Sequence, residues 1–189
     1  MSTLTIAVLV GSLRRESYNR RLAHALTQLP AAQGHSFTFP GIGDLPLYNQ
    51  DDDADKPAPA VRLKQEIRAV DGVIFVTPEY NRSIPGVLKN ALDHASRPYG
   101  DSAWKGKPAG VIGASEGKAG TAMAQQHLRN MLAYLDMPPL GQPEAFIQWT
   151  DDLITPEGEI GEESREFLDG WIAAFLALVA NTSAEAARS

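Results

Sequence analysis

The stretch LTIAVLVGSLRRESYN, residues 4–19, decides the fold of this chain. Residues 4–10 are a continuous aliphatic and β-branched run that stops at Gly11, a pattern typical of a parallel strand covered on both faces. From about Asn19 to Leu29, leucine and alanine recur at helical spacing until Pro30 ends the segment. The stretch therefore predicts a strand, a polar loop and a helix, which together form the first unit of an α/β sheet.

The alternation of strands and helices continues along the chain. We predict four further strands at about 36–39, 72–77, 107–114 and 144–148, and four further helices at about 60–69, 85–97, 121–135 and 162–179. This order indicates an α/β fold: a flavodoxin-like, three-layer, doubly wound sheet of five parallel strands in the order 2-1-3-4-5. Ligands of such sheets bind beyond the carboxyl ends of the strands.

The length of the chain predicts one folded unit. Its 189 residues, 43% of them hydrophobic, are enough for a single core. We predict one domain over residues 1–180 and a flexible C-terminal tail over residues 181–189, which are rich in Ala and Ser. Residues 40–60 are rich in Pro and Asp and too long for an ordinary connection, so they predict a functional or flexible loop.

The composition argues against several classes of function. Lys and Arg total 17 against 23 Asp and Glu, which opposes binding of nucleic acid through many phosphate contacts. Because the chain has no cysteine, thiolate catalysis and Cys-ligated metal clusters are excluded, and redox chemistry would need a bound cofactor. The four histidines lack the spacing of a metal site. We see no secretory signal and expect no apolar stretch of membrane-spanning length, so we expect a cytoplasmic protein without a membrane partner.

Three polar loops should meet at the carboxyl edge of the sheet, at Gly11 to Asn19, Pro78 to Ile84 and Ser115 to Gly120. The first loop opens a helix, so its amides, hydroxyls and Arg14 suit a phosphate, although a polar turn with a capping residue explains the same pattern. The second loop carries Tyr80, which is either a stacking surface for a flat ligand or a structural tyrosine. The third loop is rich in glycine, which permits either close approach to a ring or an ordinary tight turn.

Three motifs carry a resemblance to a known family. GSLRRESYN follows the first predicted strand, DLPLYNQD follows the second, and PEYNRSIPGVLKNALDHASRP follows the third. With these motifs in this order, the chain resembles the NADPH-dependent FMN reductases, a family that includes bacterial quinone, chromate and azo-dye reductases. The resemblance extends from Ile6 to about Leu135. It is specific for the family and much less specific for the electron acceptor.

The resemblance implies a set of residues that bind FMN mainly through backbone groups. The FMN phosphate would be held by Ser12, Arg14, Ser17, Tyr18 and Asn19. The isoalloxazine ring would lie against Pro78, Glu79, Tyr80, Asn81 and Arg82, with Ser115 and Gly117 on its other side.

The activity that the resemblance implies is an FMN-dependent oxidoreductase. It would pass electrons from NADPH, with NADH as the alternative donor, to a small acceptor such as a quinone, chromate, an azo compound or a flavin. No catalytic side chain is predicted, because the flavin itself accepts the hydride. Arg14, Arg15 and Arg82 are candidate partners for the flavin phosphate or for the 2′-phosphate of NADPH.

The resemblance also implies a homodimer, with a tetramer as a further option, formed through the helices at 85–97 and 121–135. His94 stands where relatives often carry tryptophan, a difference that we expect to affect packing at this interface more than flavin binding. Two other functions remain open from the sequence. One is a flavodoxin-like electron carrier that does not oxidise NAD(P)H itself, and the other is a flavin-free binding or regulatory domain on the same fold.

Overall fold

Five parallel strands form one sheet in the order β2-β1-β3-β4-β5, which confirms the predicted topology. The structure, a computed structural model, describes residues 3–186. The strands are β1 Thr5–Val10, β2 Ser36–Thr38, β3 Gly72–Val76, β4 Ala109–Ser115 and β5 Ala145–Gln148. Each boundary lies within two residues of its predicted position, because the buried runs of β1, β3 and β4 are unambiguous in the sequence.

Within residues 3–186, five α-helices cover the two faces of this sheet. They are α1 Tyr18–Leu26, α2 Ala58–Arg68, α3 Gly86–Ser96, α4 Ala122–Tyr134 and α5 Glu162–Ala186. Alternate residues of β1 point to opposite faces of the sheet. Ile6 packs between the sheet and helices α1 and α5, whereas Leu9 packs between the sheet and helices α2, α3 and α4. This arrangement confirms the predicted three-layer, doubly wound architecture.

A glycine allows β3 and β4 to approach each other closely at the carboxyl edge. A Cβ on Gly113 would lie 2.0 Å from the carbonyl oxygen of Thr77 and 2.5 Å from Oγ1 of Thr121. Any larger residue would therefore push apart the strand ends from which the second and third polar loops leave.

The last helix is longer than predicted, since α5 extends to Ala186 instead of ending near residue 179. By length and composition alone, α5 is long and apolar enough to cross a membrane, so the expectation that no segment approaches membrane-spanning length is wrong for this helix. However, its large residues Leu168, Trp171 and Phe175 are fully buried in the core, as in a core helix of a globular domain. The single domain over 1–180 and the flexible tail over 181–189 stay predictions, and residues 187–189 lie outside the described part of the chain.

Candidate functional site

Three polar loops leave β1, β3 and β4, which are neighbours in the sheet. We call residues 11–17 the first loop, residues 77–84 the second loop and residues 115–121 the third loop. The hydroxyl of Tyr18, at the end of the first loop, donates to Oε1 of Glu116 in the third loop at 3.0 Å. The predicted meeting of the loops at one edge is therefore present in the structure.

The first loop supplies unpaired backbone donors at the start of a helix. Ser17 caps α1 by accepting from the N–H of Arg20 at 3.2 Å, and Ser12 Oγ accepts from the N–H of Arg14 at 3.4 Å. Within residues 3–186, the N–H groups of Glu16 and Ser17 have no acceptor, and the first turn of α1 carries no acidic residue. Unpaired amides and the positive end of the helix dipole together suit an anion such as a phosphate group.

Asn19 is occupied by a structural contact. Its Nδ2 donates to the carbonyl of Ala114 at 2.9 Å, and its Oδ1 accepts from the N–H of Ala114 at the same distance. The side chain is buried, so its amide joins the beginning of α1 to the end of β4. Any contribution of its side chain to holding a phosphate is therefore indirect, through the position of the first loop.

Tyr18 is also held by aromatic contacts that the sequence did not reveal. Its ring stacks on Trp149, just after β5, with centroids 4.2 Å apart, and the Arg21 guanidinium lies 4.9 Å from the centroid of Trp149. The exposed Arg14 lies 5.3 Å from the centroid of Tyr18. Trp149 directly follows a predicted strand, and that position at the carboxyl edge was the only sequence signal that could have identified it.

The second loop is a tight turn with unusual backbone angles. Tyr80 and Ser83 exchange two backbone hydrogen bonds of 2.9 and 3.0 Å across Asn81 and Arg82, whose φ angles are 51° and 67°. Two successive positive φ angles define a type I′ turn, which is unfavourable for a residue such as arginine. Backbone strain of this kind is concentrated at ligand-binding sites. Tyr80 is about half exposed, which leaves its ring free for contact with a flat ligand.

Glu79 faces the start of α4. Its Oε2 accepts from the N–H groups of Met123 and Ala124, both at 3.1 Å. Thr121, the residue before α4, has a φ of 68° and forms no capping hydrogen bond with its side chain. Only 14% of the Glu79 side chain is exposed, and Arg82 lies 3.9 Å from its other oxygen. Glu79 therefore replaces the missing cap and fixes the second loop to the helix that follows the third.

The third loop exposes its main chain. Ser115 Oγ donates to the carbonyl of Gly117 at 3.2 Å, which shapes the turn. A Cβ on Gly117 would meet nothing closer than Ser115 Oγ at 4.0 Å, and residues 116–119 are exposed. The loop thus offers an open backbone surface opposite the second loop, where the half-buried Pro78 begins the turn.

The long connection between β2 and α2 is fastened to α3. Asn90 Oδ1 accepts from the N–H of Tyr48, and its Nδ2 donates to the carbonyl of Pro46, both at 2.8 Å. His94 Nε2 donates to the same carbonyl at 2.8 Å. Desolvation raises the pKa of Tyr48 and the nearby Asp53 raises it further, so the phenol is neutral. Leu47, between the two fastened residues, is 86% exposed.

The fold is flavodoxin-like, and the loops at its carboxyl edge form a candidate site with features that suit a planar cofactor carrying a phosphate. FMN fits this site, because free amides at the start of α1 match the phosphate and the open main chain of two loops can flank a ring. The chain belongs to the NADPH-dependent FMN reductase family, whose model matches residues 4–151.

Individual relatives are similar over nearly their whole length. A 2-hydroxy-1,4-benzoquinone reductase of Burkholderia sp is 53% identical over 177 residues, which cover 93% of this chain and 96% of that protein. A quinone reductase of Pseudomonas putida is 47% identical over 176 residues, or 93% of this chain and 94% of the relative. FerB, a flavoenzyme NAD(P)H:(acceptor) oxidoreductase from Paracoccus denitrificans, superposes with a TM-score of 0.91 at 44% identity, covering 95% of this chain and 99% of FerB.

Proposed function

We propose that this protein is an FMN-dependent NAD(P)H:quinone oxidoreductase that prefers NADPH and delivers electrons to a small benzoquinone. The observation that carries the proposal is a loop with unpaired amides beside two loops with exposed main chain on adjacent strand ends, in a chain 53% identical to a 2-hydroxy-1,4-benzoquinone reductase. Bound FMN supplies the acceptance and release of hydride. The protein has to bind and orient the cofactor and the two substrates.

The first loop is assigned to the FMN phosphate. Backbone N–H groups from Ser12 to Ser17 would surround the phosphate, and Arg14 would add a positive charge from the exposed side. Ser17, Tyr18 and Asn19 would act mainly by fixing the loop, because each already has an intramolecular partner. Charge neutralisation at the phosphate is thus assigned to amides and to arginine.

The second and third loops are assigned to the isoalloxazine ring. Residues 78–82 would present backbone groups and the Tyr80 ring on one side, and Ser115 and Gly117 would present main chain on the other. Because Glu79 joins these two loops through α4, the gap between them would be set before the cofactor binds. Preorganisation of this kind lowers the entropic cost of binding.

The fastened connection over residues 41–59 is assigned to the acceptor side of the site. Its attachment to α3 places residues 46–48 beside the helix that leaves the second loop. A rigid wall with the exposed Leu47 would select flat apolar acceptors such as quinones.

We further propose a cytoplasmic homodimer. Tyr99 and Tyr134, near the ends of α3 and α4, are 89% and 83% exposed, and they line one cavity of about 360 Å³. Exposed aromatic side chains of this kind are enriched where proteins associate. Light scattering on the purified protein tests this, because a monomer at micromolar concentration would contradict the assignment.

The decisive experiment for the function is reduction of the reconstituted protein in the absence of oxygen. The protein is loaded with FMN, desalted and mixed with NADPH or NADH, and its flavin absorbance is followed before and after addition of 1,4-benzoquinone. We expect retained flavin that is bleached faster by NADPH and restored by the quinone. Retained flavin that neither nucleotide bleaches would indicate an electron carrier and contradict the proposal.

A further inference from the structure

A cavity lies at the place where β2 ends while its neighbour β1 continues. The last β1–β2 pair is Ala7 with Thr38, whereas β1 continues to Val10. Residues 39–43 turn away from the sheet at this point. They leave a cavity of about 390 Å³, bounded below by Val8 and Val10 and on one side by α1. Its volume falls in the range of small-molecule sites, roughly 300–1,000 Å³.

The lining of this cavity combines positive and aromatic side chains. Arg20 and His24, one turn apart on α1, form one wall, and the His24 ring stacks on Phe39 with centroids 4.3 Å apart. No Asp or Glu lines the cavity, although the protein as a whole carries a net charge of −6. Within residues 3–186, the Arg20 guanidinium forms no ion pair or hydrogen bond, so it can accept an anionic partner.

The neighbouring arginine has a different environment. Arg21 lies over the Trp149 ring at 4.9 Å and does not line the cavity. Arg20 and Arg21 have the same charge and are adjacent on α1, so they form a matched pair for distinguishing a local site from general charge attraction.

We propose that this cavity is a second ligand site that binds an aromatic base linked to phosphate, which is the chemistry of an adenosine phosphate. The base would pack on the partly buried Val10 and beside Phe39. The planar guanidinium of Arg20 would donate two hydrogen bonds to the phosphate. Ser12 lines the cavity and also belongs to the first loop, so the occupant would lie next to the FMN phosphate.

Two sources could supply this chemistry: the adenosine end of NADPH or a free nucleotide. Only the first source rests on the proposed function. It would place nucleotide selectivity on Arg20, in addition to Arg14, Arg15 and Arg82, which are also exposed. Of these three, Arg82 is already near Glu79 and Arg14 is near Tyr18.

The test is calorimetric titration of 2′,5′-ADP into FMN-loaded protein, in which the flavin blocks the first loop. We expect binding by the unmodified protein, a loss of about tenfold in affinity for Arg20→Gln, and a change within about twofold for Arg21→Gln. Phe39→Leu is a second variant that removes the aromatic ring and leaves the charge of the cavity unchanged. It should weaken binding of 2′,5′-ADP by about threefold. Absence of binding to the unmodified protein, or equal losses in both arginine variants, would overturn the site.

The same samples distinguish this proposal from the proposed function. Flavin that is retained and bleached by NADPH, with no binding of 2′,5′-ADP, overturns the second site and leaves the reductase assignment intact. If the protein retains no FMN, this lack of cofactor contradicts the reductase proposal. Arg20-dependent binding of 2′,5′-ADP by the same protein would still support the second site. If 2′,5′-ADP competes with NADPH during bleaching, the occupant is the adenosine end of NADPH. Arg20-dependent binding without competition identifies a free nucleotide.

Discussion

The carboxylate of Glu79 accepts a hydrogen bond from the N–H of Ala124 at 3.1 Å. Glu79 lies in the second loop, so a residue distant in sequence caps the amino terminus of α4. A second bond comes from Met123. Helix caps are normally supplied by the residue before the helix, but here Thr121 supplies none. The contact therefore fixes the second loop to the helix that follows the third loop, in addition to stabilising that helix.

Removal of this carboxylate should weaken both the fold and cofactor binding. We expect Glu79→Ala to lower the free energy of unfolding of the apoprotein by about 1–2 kcal/mol, the usual cost of a lost cap. FMN affinity, measured by fluorescence quenching, should fall by about tenfold. Glu79→Gln retains an acceptor oxygen, so it should keep most of the free energy of unfolding and most of the FMN affinity. If Gln were as damaging as Ala, the charge of Glu79 and not its cap would be the relevant property.

The link between Asn19 and Ala114 should be essential to the position of the first loop. Asn19→Ala leaves a buried N–H and a buried C=O of Ala114 without partners, so we expect a loss of about 2–3 kcal/mol in the free energy of unfolding. Urea denaturation measures the loss. Asn130→Ala, at an exposed position of α4, serves as the control and should change stability by less than about 0.5 kcal/mol. Equal effects of the two variants would show that the buried link contributes nothing specific.

Much of the fold could be predicted because its signals are local. The buried runs of β1 and β3 and the alternation with helices predict a doubly wound parallel sheet with three loops at one edge, and the preferred order 2-1-3-4-5 is confirmed. The end of α5 was predicted too early, because Ala and Ser after residue 179 were interpreted as a tail although alanine strongly favours helix.

The connections within the site could not be predicted because they join residues distant in sequence. Asn19 and Ala114 are 95 positions apart, and Tyr18 and Glu116 are 98 apart. A motif match assigns both Asn19 and Glu79 to the cofactor. In the folded chain, the Asn19 side chain joins α1 to β4 and the Glu79 side chain joins the second loop to α4. Only the tertiary structure distinguishes a residue that touches a ligand from one that positions the loop around it.

A buried lysine makes part of the stability dependent on pH. The Lys64 side chain is 4% exposed and pairs with Asp101 at 2.8 Å, and this hydrogen bond lowers the pKa of Asp101 below its ordinary value. Because the pKa is lowered in the folded state, the pair stabilises the fold above the unfolded pKa of Asp101, and this contribution is lost as the pH falls through the folded pKa.

We therefore expect Asp101→Asn to cost about 1 kcal/mol at neutral pH, with the difference from the unmodified protein shrinking in acid below about pH 4. Urea titrations at several pH values measure this difference. Asp55→Asn, an exposed position with no ion pair in the described part of the chain, controls for net charge. A cost that did not change with pH would exclude ionisation of Asp101 as its origin.

Asn90 should separate acceptor binding from cofactor binding. Its amide bonds Tyr48 and Pro46 to α3, and His94 makes a further bond to Pro46. Asn90→Ala therefore loosens the connection that we assign to the acceptor side and leaves only the His94 bond in place. We expect the KM for 1,4-benzoquinone to rise by about three- to tenfold, corresponding to about 1 kcal/mol for weakened positioning. The Kd for FMN should stay within about twofold. Lys89→Ala, next to it on α3 and bonded only to Asp93 among the described residues, should change neither constant. A parallel loss of FMN affinity in Asn90→Ala would place residues 46–48 in the cofactor site itself.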